Sequence, residues 1–245
     1  MTQVSSKEIK NVKALASKKF RDESGLFVVE GEKMVREALE SSFEVVKVYR
    51  KSEVGEETMA RLSQLSTPSP ALAVVRKPEH IENGEFKPEN GLYIALDAIR
   101  DPGNLGTILR LADWFGVKAV LASRDTVDVF NPKVVQATMG AVFRVNLKYV
   151  DLVSATKDIL AAGGKVYGTF LDGLNICTRD LATGEDCPSA IVIGNEANGI
   201  SEDMAGLVSD RLYIPPYPAD DPGSESLNAA MATAITLYEF RRRCK

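Results

Sequence analysis

Short apolar runs and amphipathic stretches follow one another along this chain in repeated cycles. Residues 5–18 carry a helical period, and LFVVEG at 26–31 is a short apolar strand that runs into a helix over 32–41. A second cycle gives a strand VVKVY at 45–49, a helix over 56–65 and a strand ALAVV at 71–75. Residues 76–91, RKPEHIENGEFKPENG, hold two prolines, two glycines and many charges with no apolar period, which is how a linker reads. The pattern therefore predicts a small α/β domain over 1–80, a linker over 81–91 and a larger domain over 92–245. In the larger domain, strands are expected at 92–98, 119–123, 145–150, 165–171, 190–194 and 211–215. Helices are expected at 104–115, 132–139, 152–162 and 225–243. Short apolar strands separated by helices make an α/β fold with a mainly parallel sheet covered on both faces. Ligands of such sheets sit at the carboxyl ends of the strands.

Composition narrows the function classes. With 245 residues, 44% hydrophobic and 26% charged, the chain is an ordinary globular sequence. Its mean hydropathy is -0.09, and no apolar stretch approaches the roughly 20 residues of a membrane-spanning helix. Lys7, Glu8 and Lys10 fall where a signal peptide would carry its apolar core, so a cytoplasmic protein is expected. Cys177, Cys187 and Cys244 are an odd number without CxxC spacing, which argues against a disulfide framework and a zinc site. A single histidine, His80, leaves metal and triad chemistry without their commonest residue, and no metal is expected.

A net charge of -4 disfavours nucleic acid as a partner, but the average hides an asymmetry. Residues 1–21 hold six bases, Lys7, Lys10, Lys13, Lys18, Lys19 and Arg21, against Glu8 alone, and Arg241, Arg242, Arg243 and Lys245 close the chain. Local patches of this kind hold phosphates whatever the total charge, although a solvated charged face uses the same letters.

Three strand-end segments are rich in glycine and polar residues. In LDAIRDPGNLGTILRLADWFG, 96–116, Asn104 stands where a cap would sit, before the apolar face of Leu105, Ile108, Leu109 and Ala112. Arg110 lies about 9 Å further along that helix, and a long side chain there can lean back to the loop end. A plain cap and a snorkelling arginine account for these residues equally well. The dinucleotide pattern GxGxxG is absent, so a nicotinamide-dependent oxidoreductase is a weak reading. In AIVIGNEANGIS, 190–201, Glu196 stands just past an apolar strand, where it could hold a cation or an arginine, and a bare turn would also use Gly and Asn this way. In IPPYPADDPGSESLNAAMATAITLYEFRRR, 214–243, Ser224 or Ser226 can cap a helix with Glu225 in its first turn. No GxSxG surrounds those serines, and neither a serine hydrolase nor a P-loop is supported.

In this order, the three segments resemble motifs 1, 2 and 3 of the SpoU (TrmH-type) branch of the SPOUT RNA methyltransferases: DPGNLGTILRLAD, IVIGNEANGIS and ESLNAAMATAITLYE. The segment KEIKNVKALASKKFRDESGLFVVEGEKMVREAL is similar to the small L30e-like substrate-binding domain that many members carry. The resemblance implies a trefoil-knotted α/β domain acting as a homodimer. It further implies an S-adenosylmethionine (SAM)-dependent ribose 2'-O-methyltransferase of RNA, ribosomal RNA ahead of tRNA, with a non-catalytic RNA binder of the same fold as the competing class. The donor positions it implies are Thr169, Ile193, Gly194, Asn195, Ile214 and Leu227. The implied catalytic positions are Asn104, Arg110, Glu196, Ser226 and Asn228, with Glu196 expected to orient Arg110 or touch the ribose. Guanidinium pKa values lie above 12, so Arg110 is read at least as a clamp on phosphate and ribose. The turn PYPADDPGS, nine residues, is longer than the family's usual one, and Asp220 and Asp221 are expected to point away from phosphate.

Overall fold

A computed structural model describes residues 3–79, 81, 86–218 and 226–242. In chain order the first elements are α1 (Ser6–Ala14), α2 (Lys18–Ser24), β1 (Leu26–Glu30), α3 (Glu32–Glu40), β2 (Val45–Arg50), α4 (Lys51–Val54), α5 (Glu56–Leu62) and β3 (Ala71–Arg76). They are followed by β4 (Gly91–Leu96), α6 (Pro102–Trp114), β5 (Ala119–Ala122), α7 (Pro132–Thr138), β6 (Leu147–Tyr149) and α8 (Leu152–Ala161). The last are β7 (Lys165–Asn175), β8 (Pro188–Ile193), α9 (Glu202–Ala205), β9 (Asp210–Tyr213) and α10 (Ala229–Arg241). The chain forms two compact units, Met1–Pro78 with Asp128–Arg144, and Glu79–Val127 with Val145–Lys245.

The first unit is built on an antiparallel sheet in the order β1-β3-β2. The single helix expected over 5–18 is two helices. Ser5 caps α1 by accepting from the Glu8 amide at 3.2 Å. The carbonyls of Leu15 and Ala16, which a continuous helix would offer to amides four residues on, instead accept the Arg21 guanidinium, both at 2.8 Å. The second helix stops at Gly25, whose φ of 65° lies where glycine is favoured. The division into 1–80 and 92–245 gives no place to the return of 128–144, which completes this unit. There α7 packs on β1, the Phe130 ring lies 4.6 Å from Phe27, and Phe143 meets Phe43 edge-on at 5.2 Å.

The second unit holds a six-stranded sheet, order β6-β5-β4-β8-β7-β9, in which every pairing is parallel. β5 and β8 are buried along their whole length and β4 over all but its first residue, as strands covered on both faces must be. The strand order reverses between β4 and β8, and the crevice at their carboxyl ends is the ligand position of such a sheet. The segment read as a linker is partly docked: Ile81 is buried, and Phe86 meets Tyr93 edge-on at 5.5 Å. His80 lies outside the described residues. No helix among the described residues is long and apolar enough to cross a membrane, and no group of three or more metal-ligating side chains occurs among them.

Candidate functional site

The segment after β4 reaches α6 through a strained turn. Ala98 has a φ of 57°, a left-handed backbone that costs a residue with a side chain about 1 kcal/mol or more. Its neighbours hold it there: the Ala98 amide donates to Ser123 Oγ at 2.9 Å, and its carbonyl accepts Asn195 Nδ2 at 2.7 Å. Asp101 then caps α6, its carboxylate accepting the Asn104 amide at 2.8 Å, with Pro102 in the first turn, where it gives up no helical hydrogen bond. The cap expected at Asn104 is thus one turn too late, because the acidic residue before the proline takes that role. Asn104 is inside the helix, 7% exposed, and its carboxamide is free to point across the crevice.

Beyond β8, Asn195 and Gly199 exchange backbone hydrogen bonds of 2.9 Å in both directions, which folds the segment back on Gly194. A Cβ at Gly194 would stand 2.3 Å from the Gly199 carbonyl carbon, so only glycine fits. Asn195 Oδ1 accepts the amides of Ala197 and Asn198 at 3.0 and 3.1 Å. This compact turn presents Glu196 to the start of α6. Glu196 Oε1 accepts the Asp101 amide at 3.1 Å and Asn104 Nδ2 at 3.0 Å, and Oε2 accepts the Arg100 amide at 3.2 Å. Partial burial works to raise the Glu196 carboxyl, but the donation from Asn104 and the backbone amides outweighs it and holds the group below its usual range.

The third segment joins through Asn228. Its Oδ1 caps α10 by accepting the amides of Ala230 and Met231 at 3.0 and 3.3 Å, and its Nδ2 donates to Asn104 Oδ1 at 2.8 Å. The cap expected from Ser224 or Ser226 is therefore replaced by Asn228, and the helix starts at Ala229. Ser226 lies ahead of the helix and is exposed, while Ser224, Glu225, Asp220 and Asp221 lie outside the described residues. One hydrogen-bonded line, Glu196 to Asn104 to Asn228, ties together segments that lie 92 and 124 residues apart in sequence.

Arg110 stands two turns along α6 from this line, exposed, and makes no hydrogen bond or ion pair among the described residues. Glu196 spends its carboxylate on residues 100, 101 and 104, so the expectation that it orients Arg110 is not met here.

Of the other expected positions, Ile193 ends β8 and is buried, Gly194 and Asn195 form the turn above, and Thr169 lies on β7 opposite Leu212 of β9. The β7–β9 ladder breaks directly after Thr169 and resumes at Leu174, again opposite Leu212, which releases the backbone between them from the sheet. Ile214 follows β9, and Leu227 precedes α10, half exposed. The six positions share the carboxyl-end side of β8, β7 and β9 and carry no ionisable side chain. A cavity of about 560 Å³ opens beside them, lined by Asp97, Arg100, Asp125 and the 195–201 turn. It takes in Asn195 and Glu196 but not Thr169, Ile193, Ile214 or Leu227. Asp97, Arg100, Asp125 and the capping Asp101 were not singled out by sequence, although Asp97 directly follows the apolar run of β4.

The basic residues at the start of the chain separate into different roles. Lys7 and Lys10 are exposed on α1, opposite the face that buries Ile9 and Val12. Lys13 donates to the Ser63 carbonyl, and Lys18 and Lys19 form exposed pairs with Asp22 and Glu23. Arg21 is no surface residue: 2% exposed, it pairs with Asp128 at 2.7 Å besides its two carbonyls, which corrects its expected place in a phosphate-binding patch.

Comparison with known proteins matches residues 91–238 to the SpoU rRNA Methylase family and residues 6–72 to the MRM3-like substrate binding domain. The 23S rRNA (guanosine(2553)-2'-O)-methyltransferase RlmP of Bacillus subtilis is 31% identical, over 96% of this chain and 96% of that protein. The mitochondrial rRNA methyltransferase 3 of Xenopus laevis is 29% identical, covering 93% of this chain and 71% of its own length. Among solved structures, an AdoMet-bound rRNA methyltransferase from Sinorhizobium meliloti superposes with a TM-score of 0.86 at 29% identity, covering 100% of this chain and 98% of that one.

Proposed function

Because this chain belongs to the SpoU rRNA methylase family, we propose that it methylates the 2'-hydroxyl of a ribose in ribosomal RNA, with SAM as donor. The observation that carries the reading is the line from Glu196 through Asn104 to Asn228, which assembles the three motif segments at the switch point of the sheet.

The residues assigned to the donor suit it. Thr169, Ile193, Gly194, Asn195, Ile214 and Leu227 are uncharged, the Asn195 carboxamide is spent on its own turn and on the Ala98 carbonyl, and the ladder break after Thr169 leaves backbone groups for a ligand. Such a set offers apolar walls to an adenine and backbone donors and acceptors to its polar edge. Bound there, SAM supplies an electrophilic methyl group on a sulfonium. What remains for the protein is chiefly positioning and the fate of one proton. Asn104, held from both sides, is fixed in orientation, and Glu196 keeps its negative charge at the crevice. Arg110, exposed and without a hydrogen bond or ion pair among the described residues, is available to a phosphate of the incoming RNA, while Ser226 is exposed ahead of α10 and Asn228 is tied to Asn104. On the smaller unit, Lys7 and Lys10 offer exposed positive charge to the RNA backbone.

The homodimer and the trefoil knot belong to the same proposal. Met231, Ile235 and Tyr238 form an exposed apolar stripe on α10, and Trp114 at the end of α6 is 84% exposed, as residues awaiting a partner surface are.

The test is transfer of labelled methyl from SAM to rRNA, with the product mapped as 2'-O-methylation and SAM binding followed by calorimetry against NAD. Stoichiometric SAM binding with label on ribose oxygen is expected. A folded protein that binds no SAM, alone or with RNA, overturns the reading.

A further inference from the structure

The strained turn that joins β4 to α6 is held from a strand that carries none of the three motif segments. Ser123 directly follows β5, and its hydroxyl is fully engaged: Oγ accepts the Ala98 amide at 2.9 Å, donates to Asp125 Oδ1 at 2.7 Å and lies 3.0 Å from Thr126 Oγ1. With its proton given to Asp125 and both acceptor positions filled, the hydroxyl has one orientation. Asp125 closes the contact into a circuit, because its other oxygen, Oδ2, accepts the Arg100 guanidinium at 3.3 Å. The stretch 98–100 is therefore tied at its first residue through the backbone and at its last through a side chain, and both ties lead to Ser123. Between them Ala98 keeps a φ of 57°, a conformation that a residue with a Cβ leaves unless its surroundings hold it. Two and three residues further on, the Arg100 and Asp101 amides both donate to the Glu196 carboxylate, at 3.2 and 3.1 Å.

We propose that Ser123 is a positioning residue of the methyl-transfer site: it holds Ala98 in the left-handed backbone that aims the Arg100 and Asp101 amides at Glu196, and so fixes where that carboxylate stands in the crevice. Its effect on catalysis rests on the methyl-transfer reading above, while the contacts it describes join groups of the protein alone. Glu196 accepts three kinds of donor, the Asn104 carboxamide and the two amides, and both amides belong to the stretch that Ser123 ties. The other tie on Ala98, from Asn195 Nδ2 at 2.7 Å, comes from the same turn that carries Glu196 and moves with it. Ser123 is the anchor from outside that turn. It is itself fixed to the sheet, since its amide donates to the Leu96 carbonyl at 3.0 Å. With alanine at 123 the Ala98 amide loses its acceptor, and only the Asn195 tie opposes relaxation of the strained φ. The two amides then swing away, and Glu196 is left to the Asn104 carboxamide and water. A reaction that depends on positioning loses up to about a hundredfold in rate for a displacement of about 1 Å.

The full chain is compared with Ser123→Ala and with the double variant that adds Ala98→Gly. Glycine takes a positive φ without strain, so the second change removes the need for the clamp that the first takes away. In Ser123→Ala, methyl transfer to rRNA should fall about tenfold to a hundredfold. Calorimetric SAM affinity should stay within about twofold, because Ser123 lies across β4 from the strands β8, β7 and β9 that carry the donor positions. The Glu196 carboxyl, followed by carbon NMR without substrate, should titrate higher, toward its ordinary value of 4.5, since the Arg100 and Asp101 amides help to lower it. Asp97, Arg100, Asp101 and Asp125, the ionisable side chains of the same turn and cavity, are present in every variant, so the shift reads the amides. The double variant should recover most of both changes, whereas a serine with a merely structural part would lower Tm and leave the Glu196 titration in place. An identical Glu196 titration in wild type and Ser123→Ala overturns the inference, as does a loss that the glycine does not reduce. If Ser123→Ala does not fold, recovery of the folded protein by the glycine is the same rescue, and its failure is the same refutation. A wild-type chain that moves no methyl from SAM removes the methyl-transfer reading; the Glu196 titration, which needs neither SAM nor RNA, still decides whether Ser123 positions that carboxylate.

Discussion

Asn228 makes two separable contributions, and a pair of substitutions divides them. Its Oδ1 caps α10, and its Nδ2 holds Asn104. An asparagine cap exchanged for alanine costs about 1 kcal/mol, within a range of about 0.5–2. Loss of the bond to Asn104 costs about 1 kcal/mol, and the nearly buried Asn104 oxygen it leaves unpaired adds at least as much again. Asn228→Ala should therefore destabilise by about 3 kcal/mol. Asn228→Ser keeps a capping oxygen but has no donor that reaches Asn104, so its loss should be smaller by about the 1 kcal/mol of the cap. In a chain of this size each kcal/mol moves Tm by about 2–4 °C, which separates the two variants in a thermal or urea scan. Methyl transfer should fall alike in both, because the Asn104 carboxamide swings free in both. Equal stability of the serine and alanine variants would refute the cap assignment. Full activity of Asn228→Ser would refute the claim that the line through Asn104 assembles the site.

Four further outcomes follow from other contacts. If Arg110 meets RNA rather than donor, as proposed, Arg110→Ala should abolish methyl transfer while calorimetric SAM affinity stays within about twofold; loss of SAM binding by a folded variant would refute that assignment. Changing Lys7 and Lys10 to glutamine should weaken RNA binding and lower the slope of log affinity against log salt by about 1–2, and an unchanged slope would show a merely solvated face. Arg21→Met should cost about 3–5 kcal/mol in urea unfolding, because it leaves Asp128 charged and nearly buried, yet leave RNA affinity per folded molecule unchanged. Glu196 titrates lower folded than unfolded, so its stabilisation is complete above about pH 4.5 and disappears as pH falls through the lowered value; Glu196→Gln should flatten that acid limb of the stability curve.

The parallel sheet was legible because its central strands β4, β5 and β8 are apolar over most of their length, and the three strand-end segments were legible as polar strings in the right order. What the letters concealed was competition for hydrogen bonds. Asp101 and Asn104 are both good caps, and only the proline between them favours the first. Ser224, Ser226 and Asn228 are equally plausible caps in sequence, and the bond to Asn104, more than a hundred residues away, accompanies the one observed. Arg21 carries the same charge as the lysines around it, but its planar fork satisfies two carbonyls and a carboxylate at once, so it goes inside while they stay out. Asp97 gave no warning because a lone acid after an apolar strand is ordinary. Its part shows only in the fold, where it accepts the Ser201 amide from 104 residues away at 2.7 Å.

The segment Asp128–Arg144 leaves the larger unit and returns to complete the smaller one. The chain thus passes between the units three times rather than once. A ribosome that has delivered only the first eighty residues has not yet delivered Phe130, the partner of Phe27, or Asp128, the counter-ion of Arg21. The small unit can close only after part of the large one has been synthesised. Exchange between relatives at the single junction near residue 80 would strand that closing segment with the wrong partner.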